Sequence, residues 1–483
     1  MKKRIVYFLV FLMMTGAMSG CADVTKEKEE NEEVTLTWYV PGRKQEDIKS
    51  VMEEANEYLT EKIGARLDLR FIDADSYTER ITMMMASKED YDLAFVGYNN
   101  SYLKAATNKR LYPIKKWIDE STELKNSMPG YAWEDITYMG EIYAVPNNQI
   151  FAQSTNVFFK KDLVDKYGFD LSGIRKGSDL EPFLQIIKEN EPDIYPVCEM
   201  GMTFVSYDDG KRTDPLLTGV KAVSEDGSVK VVRNTDISQT YNHLKKKNEW
   251  YKKGYIRKDI GVVSDESVDI VAGKYAVMFD PTYKPGGEEM HNSMYGYEVV
   301  SVPLEKPYVS LDRAKLAMIG IGADSKNPQK AFEFIKLINT DKYLYNLICF
   351  GIENKHYKKT GGEFIEPIGN SGYNPGNAWE FGNQFNAYLL PGQNKDDWKK
   401  TEEMNQTDNI SPIMGFIPNV SGLEKEINQV ETVVDEYSTC LKGTKNPDEY
   451  YAEYLEKLER AGVGTIVDEL QKQIDEFLAK GKE

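Results

Sequence analysis

The sequence predicts an α/β protein of two domains with a helical C-terminal region. Three observations carry that expectation. Strand-like and helix-like runs alternate from residue 34 to 96, the 483 residues exceed what one core serves, and residues 423–478 keep an apolar repeat of helical period. Single hydrophobic cores stop growing near about 250–300 residues. The mean hydropathy of −0.53 and the single long apolar run exclude a multi-span membrane protein. The balance of 60 Lys+Arg against 78 Asp+Glu, a formal charge of −18, argues against nucleic acid as a partner, because phosphate binding needs a basic footprint.

The elements follow in order. Val34–Val40 is a β-branched and aromatic run stopped by Pro41-Gly42. Ile48, Val51, Met52, Ala55, Leu59 and Ile63 recur at helical spacing, and Gly64 ends that helix. Ala65–Ile72 is a second strand, Ser76–Ala86 a second helix and Tyr91–Val96 a third strand. Such alternation builds a parallel sheet covered by helices, whose strand ends at 38–42 and 97–101 share one edge, the edge where open α/β sheets bind ligands. At the other end of the chain, Leu423, Ile427, Val430, Val434, Tyr437 and Leu441 form one helical stripe. Tyr450, Tyr451, Tyr454, Leu455 and Leu458 form a second, and Ile466, Leu470, Ile474, Phe477 and Leu478 a third. Aromatics at helical spacing are core, so Tyr450, Tyr451 and Tyr454 are assigned to packing.

Residues 1–20 have the layout of a secretory signal peptide: Lys2-Lys3-Arg4, an apolar stretch Ile5–Met14, then small residues. Met18-Ser19-Gly20-Cys21 resembles the bacterial lipobox, which makes Cys21 the lipidation site and the first residue of a palmitate-bearing lipoprotein. Several acyl chains hold stably where one is marginal. Residues 22–33 are mostly charged, with no apolar periodicity, and form a tether. Cys198, Cys349 and Cys440 are an odd set, expected as buried free thiols.

Several stretches together resemble family 1 extracellular solute-binding proteins. They are Gly140–Pro146 followed by Asn156–Leu163, Gly273–Met278, Ile321–Ile335, Gly351–Tyr357, Trp379–Phe385, and the tail from Gly415–Pro418 to Glu469–Asp475. The last three resemble a Gram-positive lipoprotein subgroup with a helical C-terminal domain. The resemblance implies a two-lobe periplasmic-binding-protein-like fold of type II, each lobe a mainly parallel sheet covered by helices. It places lobe 1 at 34–150 plus 311–350, and lobe 2 at 151–310 plus about 351–483 with the helical region. It implies a monomer without enzymatic activity or cofactor that captures a small-molecule solute and delivers it to ABC permease transmembrane subunits. The location is the outer face of the cytoplasmic membrane, held through the lipid anchor.

A solute site needs flat apolar faces with a few placed polar groups. Trp38 and Tyr98 end strands at the expected cleft edge, and Trp379 lies in a Gly- and Asn-rich segment without helical periodicity. Tyr283 is a further loop ring, and Asn99, Asp280 and Asn383 are the candidate hydrogen-bonding partners, with Asp280 equally suited to a turn before Pro281. Aromatics of this kind stack on sugars in the family, which favours an oligosaccharide. No G-x-S-x-G elbow, P-loop, H-E-x-x-H or calcium loop is present, and His243, His291 and His356 have no ligand-like spacing. A surface-tethered carbohydrate-active enzyme and a non-transport sensor or adhesin on the same fold are the competing readings.

Overall fold

The computed structural model describes residues 34–97, 101–202, 212–225 and 227–480; the signal peptide, Cys21, the tether, Tyr98 and Asn99 lie outside the described residues. The first sheet is built from β1 (Val34–Pro41), β2 (Ala65–Ile72), β3 (Leu93–Phe95) and β4 (Ala144–Pro146), and takes in the distant β12 (Met318–Ile321) in the order β2-β1-β3-β12-β4. β1 pairs in parallel with β2 and β3, as strand–helix–strand connections require, whereas β12 runs antiparallel to both its neighbours. The helix Ile48–Ile63 buries Val51, Met52, Ala55 and Leu59 on one face and ends at Gly64, whose φ of 63° gives the left-handed cap that glycine adopts without strain.

The second sheet has the order β11-β5-β10-β6, from β5 (Ser154–Lys160), β6 (Tyr195–Val197), β10 (Tyr275–Tyr283) and β11 (Val299–Pro303). Here the expectation of a mainly parallel sheet is corrected. β5 runs antiparallel to both β10 and β11, and only β10–β6 is parallel. The cause is connectivity: β10 and β11 are joined through the helix Gly287–Tyr295 and point the same way, and β5, arriving from the first sheet, inserts between them in the opposite sense. Both faces of this sheet are covered. Val157 and Phe159 pack with Leu184 and Ile187 on one side, and Phe158 packs with Met278 and Tyr275 on the other.

A three-stranded antiparallel ribbon, β7 (Arg212–Leu217), β8 (Val220–Glu225) and β9 (Ser228–Arg233), lies on the C-terminal helices. Val220, Ala222, Val229 and Val231 share a core with Val430, Tyr437, Leu458, Ile466, Leu470 and Ile474, and Tyr450, Tyr451 and Tyr454 are buried in it. The segment after residue 350 does not join the second sheet. Tyr373, Phe381 and Ala387 are part of the core of the first sheet, with Trp379, Trp398 and Met404 against it, and the chain enters the ribbon-and-helix core only at Ile413 and Phe416. The expected assignment of everything after 351 to lobe 2 is corrected accordingly: the Gly- and Asn-rich stretch hides enough apolar surface in Tyr373 and Phe381 to dock on the nearer sheet. Cys198 and Cys349 are buried and Cys440 half-buried, all three unpaired.

Candidate functional site

Three chain segments link the first sheet to the rest of the molecule, and they are paired with one another. Gln153 and Tyr308 exchange both backbone hydrogen bonds at 2.8 Å, Val309 N–H donates to Asn409 O at 3.0 Å, and Ser411 N–H donates to Val309 O at 2.8 Å. Buried polar side chains fix these crossings. Asn405 accepts from the Phe151 and Ala152 amides (2.9 and 3.1 Å) and donates to Gln149 O (2.7 Å). Asp214, fully buried on β7, accepts from Leu311 N–H (2.7 Å), Tyr308 O–H (2.9 Å) and Ser411 O–H (2.9 Å). Asp135, from the helix Gly130–Ile136, accepts from the Asp312 and Ala314 amides (3.3 and 3.0 Å) and from Lys315 Nζ (2.5 Å). The second crossing is thus held by the ribbon up to Leu311 and by the first sheet's helix from Asp312 onward. Asp312 itself has φ of 75°, a left-handed conformation uncommon outside glycine.

A cavity of about 440 Å³ opens at these crossings. Gly97 and Leu316 contribute from the carboxyl edge of the first sheet, Thr155, Pro281 and Glu305 from the edge of the second, and Thr213, Pro215 and Lys221 from the ribbon. The crossings themselves supply Gln153, Lys306, Tyr308, Ser310, Leu311, Asp312, Arg313 and Lys315. A Cβ on Gly97 would lie 2.2 Å from Leu316 O, so glycine is what lets the first sheet close on the second crossing. Burial pushes Arg313 down to about 10 against the attraction of Asp135 and Asp312. Burial also lowers Lys221, while Asp214 is raised by burial despite its hydrogen bonds. Lys315 is held above its ordinary value, because the attraction of Asp135 and Asp312 overcomes the cost of burial.

The aromatic candidates fall elsewhere. Trp38 is corrected from cleft platform to core: β1 continues to Pro41, and the indole, 0% exposed, is enclosed edge-on by Phe334 (5.3 Å) and Phe381 (5.8 Å). Trp379 is half-buried beside the same sheet edge, edge-on to Phe95 at 6.3 Å, with its carbonyl accepting from Asn147 Nδ2 at 3.0 Å. Asn383 spends its Oδ1 on the Phe385 amide (3.1 Å). Asp280 takes the turn role, accepting from Thr282 N–H and O–H at 2.8 Å each. Tyr283 packs on Phe158 at 6.0 Å. None of these side chains lines the 440 Å³ cavity, although Asp280 precedes Pro281, which does. The cavity residues come from polar, aperiodic linkers; the signal available was that the 303–313 linker separates two strand-like runs.

Two of the histidines serve structure. His356 Nδ1 accepts from the Ile352 amide at 2.8 Å, which leaves Nε2 to donate to Asp47 at 2.9 Å. His291 stacks on Tyr295 at 5.0 Å. Among the described residues no group of three His, Cys, Asp or Glu side chains is placed to hold a metal ion.

Comparison with known proteins decides the family. The model of the bacterial extracellular solute-binding protein family matches residues 43–344. The chain belongs to that family. A second family model, a domain of unknown function (DUF3502), matches residues 412–479, the stretch that carries the C-terminal helices. This solute-binding protein is 28% identical to a carbohydrate ABC transporter substrate-binding protein of Streptococcus pneumoniae serotype 4 (strain ATCC BAA-334 / TIGR4), over 97% of each chain. It is also similar to the crystal structure of the N-glycan transport solute-binding protein NgtS from Streptococcus pneumoniae, with a TM-score of 0.83 at 26% identity over 93% of this chain and 100% of that one. NgtS in complex with Man5GlcNAc gives a TM-score of 0.73 at 27% identity, over 93% of this chain and 99% of that one.

Proposed function

We propose that this chain is the lipid-anchored, extracytoplasmic solute-binding component of an ABC importer, and that it captures an oligosaccharide between two lobes hinged at the paired crossings. The carrying observation is the cavity where both sheet edges and the ribbon meet those crossings. In this reading one lobe is the first sheet with the segment through about residue 405, and the other is the second sheet with the ribbon and C-terminal helices. The carbohydrate transport role of the pneumococcal relative and the glycan complexes of NgtS support an oligosaccharide. TM-scores of 0.83 and 0.73 to two NgtS structures at the same coverage are what a change of lobe angle produces, and support a hinge.

The mechanism makes and breaks no covalent bond. Gln153, Thr155, Thr213 and Ser310 offer amide and hydroxyl groups to sugar hydroxyls. Rotation concentrates between Leu311, tied to Asp214, and Asp312, tied to Asp135, since each side of that peptide moves with a different body. Closure brings together surface from both lobes, and the permease reads that composite surface. Of the two carboxylates in the cavity lining, Asp312 is bound to Lys315 at 2.9 Å, so the wall offers no free acid–base pair for glycoside cleavage. Cys21 carries the lipid at the outer face of a Gram-positive membrane, and the protein acts as a monomer.

The test is a thermal-shift screen against oligosaccharides, monosaccharides and short peptides, with supernatants checked for cleavage products. A ligand at a hundred times its Kd adds about 2.7 kcal/mol to stability. A shift with an oligosaccharide and no products is expected; cleavage would put an enzyme first, and a shift with peptides alone would overturn the carbohydrate. Cys21→Ala is expected to release the protein into the medium, and retention on the cell would overturn the anchor.

A further inference from the structure

We propose that the captured solute carries a negatively charged group, a carboxylate or a sulfate, which Arg313 and Lys221 receive in the cavity at the crossings. The inference rests on the solute-binding reading and names the chemical class of its ligand. The chain as a whole has a formal charge of −18, yet among the described residues the cavity lining reverses that sign, with Lys221, Lys306, Arg313 and Lys315 against Glu305 and Asp312. Lys315 is neutralised, bonded to Asp135 at 2.5 Å and Asp312 at 2.9 Å. Those two contacts also occupy the carboxylates nearest Arg313.

Arg313 has no ion-pair partner among the described residues, and its Nε is buried with no hydrogen-bond acceptor. Lys221 enters the same cavity from β8, also without a carboxylate partner among the described residues, and burial lowers its pKa. Each is a cation on the cavity wall without an ion-pair partner among the described residues, Arg313 feeling Asp135 and Asp312 only from a distance, and an anionic solute would supply that partner. The guanidinium fork fits the paired oxygens of a carboxylate or sulfate, and the ammonium adds a point charge from the ribbon. Hydroxyls of a neutral sugar can accept hydrogen bonds but cannot offset the charge. Tyr308 is the one aromatic lining the cavity among the described residues, and its hydroxyl is given to Asp214, so the wall is equipped for charge more than for stacking.

The test is calorimetric titration with matched pairs: trigalacturonate and its methyl ester, sialyllactose and lactose, and a heparin-derived disaccharide and its desulfated form. We expect an acidic member to bind at least about tenfold tighter than its neutral partner, with rising ionic strength narrowing the gap. Arg313→Gln should remove most of that preference, bringing the acidic and neutral members of a pair to within about threefold of each other. Lys221→Met, on a separate element, repeats the test where Arg313→Gln disturbs folding. Which pair responds separates a carboxylate from a sulfate. Equal or tighter binding of the neutral members would overturn the charged solute, and a preference kept in both variants would overturn Arg313 and Lys221 as the residues that receive it; either result leaves the oligosaccharide reading standing. Absence of binding by every member of every pair would overturn both.

Discussion

Residues 372–387 and 305–316 both lie beside the carboxyl edge of the first sheet, and both look alike in sequence: polar, aperiodic and without a strand or helix pattern. In the fold they do opposite things. The first is a plug, with Tyr373 and Phe381 buried in the sheet's core and Trp379 against Phe95. The second is a wall, in which Ser310, Leu311, Asp312 and Arg313 line a cavity while Ala314 is buried behind. A loop aromatic marks where a segment docks, because rings carry large apolar area at small entropic cost. A cation in a linker marks a site only when the fold buries it without a partner.

That difference can be broken from either side. Lys315→Met leaves Asp135, 1% exposed, as an uncompensated buried carboxylate and should cost about 3–5 kcal/mol in chemical denaturation. Adding Asp135→Leu should recover much of that loss; a single variant within about 1 kcal/mol of the parent would show that the pair is not what holds the second crossing. On the plug, Phe381→Ala removes a ring packed on Trp38 and Phe71 and should cost about 3–5 kcal/mol, with solute affinity unchanged in the folded fraction. Lost affinity at unchanged stability would return the plug to the site.

Gly97→Ala probes the boundary between the two segments. Its Cβ would meet Leu316 O, so we expect a loss of about 1–3 kcal/mol together with weaker solute binding. Unchanged binding would separate the sheet edge from the cavity. A pH dependence beneath the ribbon is also expected. Burial, with Lys247 and Lys221 nearby, lowers His243 from 6.5 to about 3. The unfolded chain therefore takes up a proton that the folded one refuses, and stability should fall as pH drops from about 6.5 toward 3. His243→Gln should flatten that limb in melts recorded across the range; an unchanged slope would place the acid sensitivity elsewhere.

The sequence carried the first half of the first sheet well, because β1–β3 and their helices are local and periodic. It also carried the C-terminal helices, where Tyr450, Tyr451 and Tyr454 pack as their spacing requires. β12 joins that sheet from about 220 positions beyond β3, and only a family resemblance pointed to such a discontinuous lobe. The antiparallel insertion of β5 is equally non-local. In the site, Trp38 misled because the sequence alone groups it with the strand's end, although it sits three residues inside Val34–Pro41 and its indole turns into the core. Asp135, Asp214 and Asn405, which fix the crossings, are single polar residues whose partners lie from about 90 to 260 positions away, a separation that leaves no local pattern.

A hinge at the paired crossings, with the solute site in the cavity beside them, requires the lobes to move when solute binds. Small-angle X-ray scattering, recorded with and without a saturating oligosaccharide identified by thermal shift, tests it most directly. A smaller radius of gyration is expected in the complex, fitted by rotation of the two lobes about Leu311–Asp312. An unchanged scattering curve at saturation would contradict it.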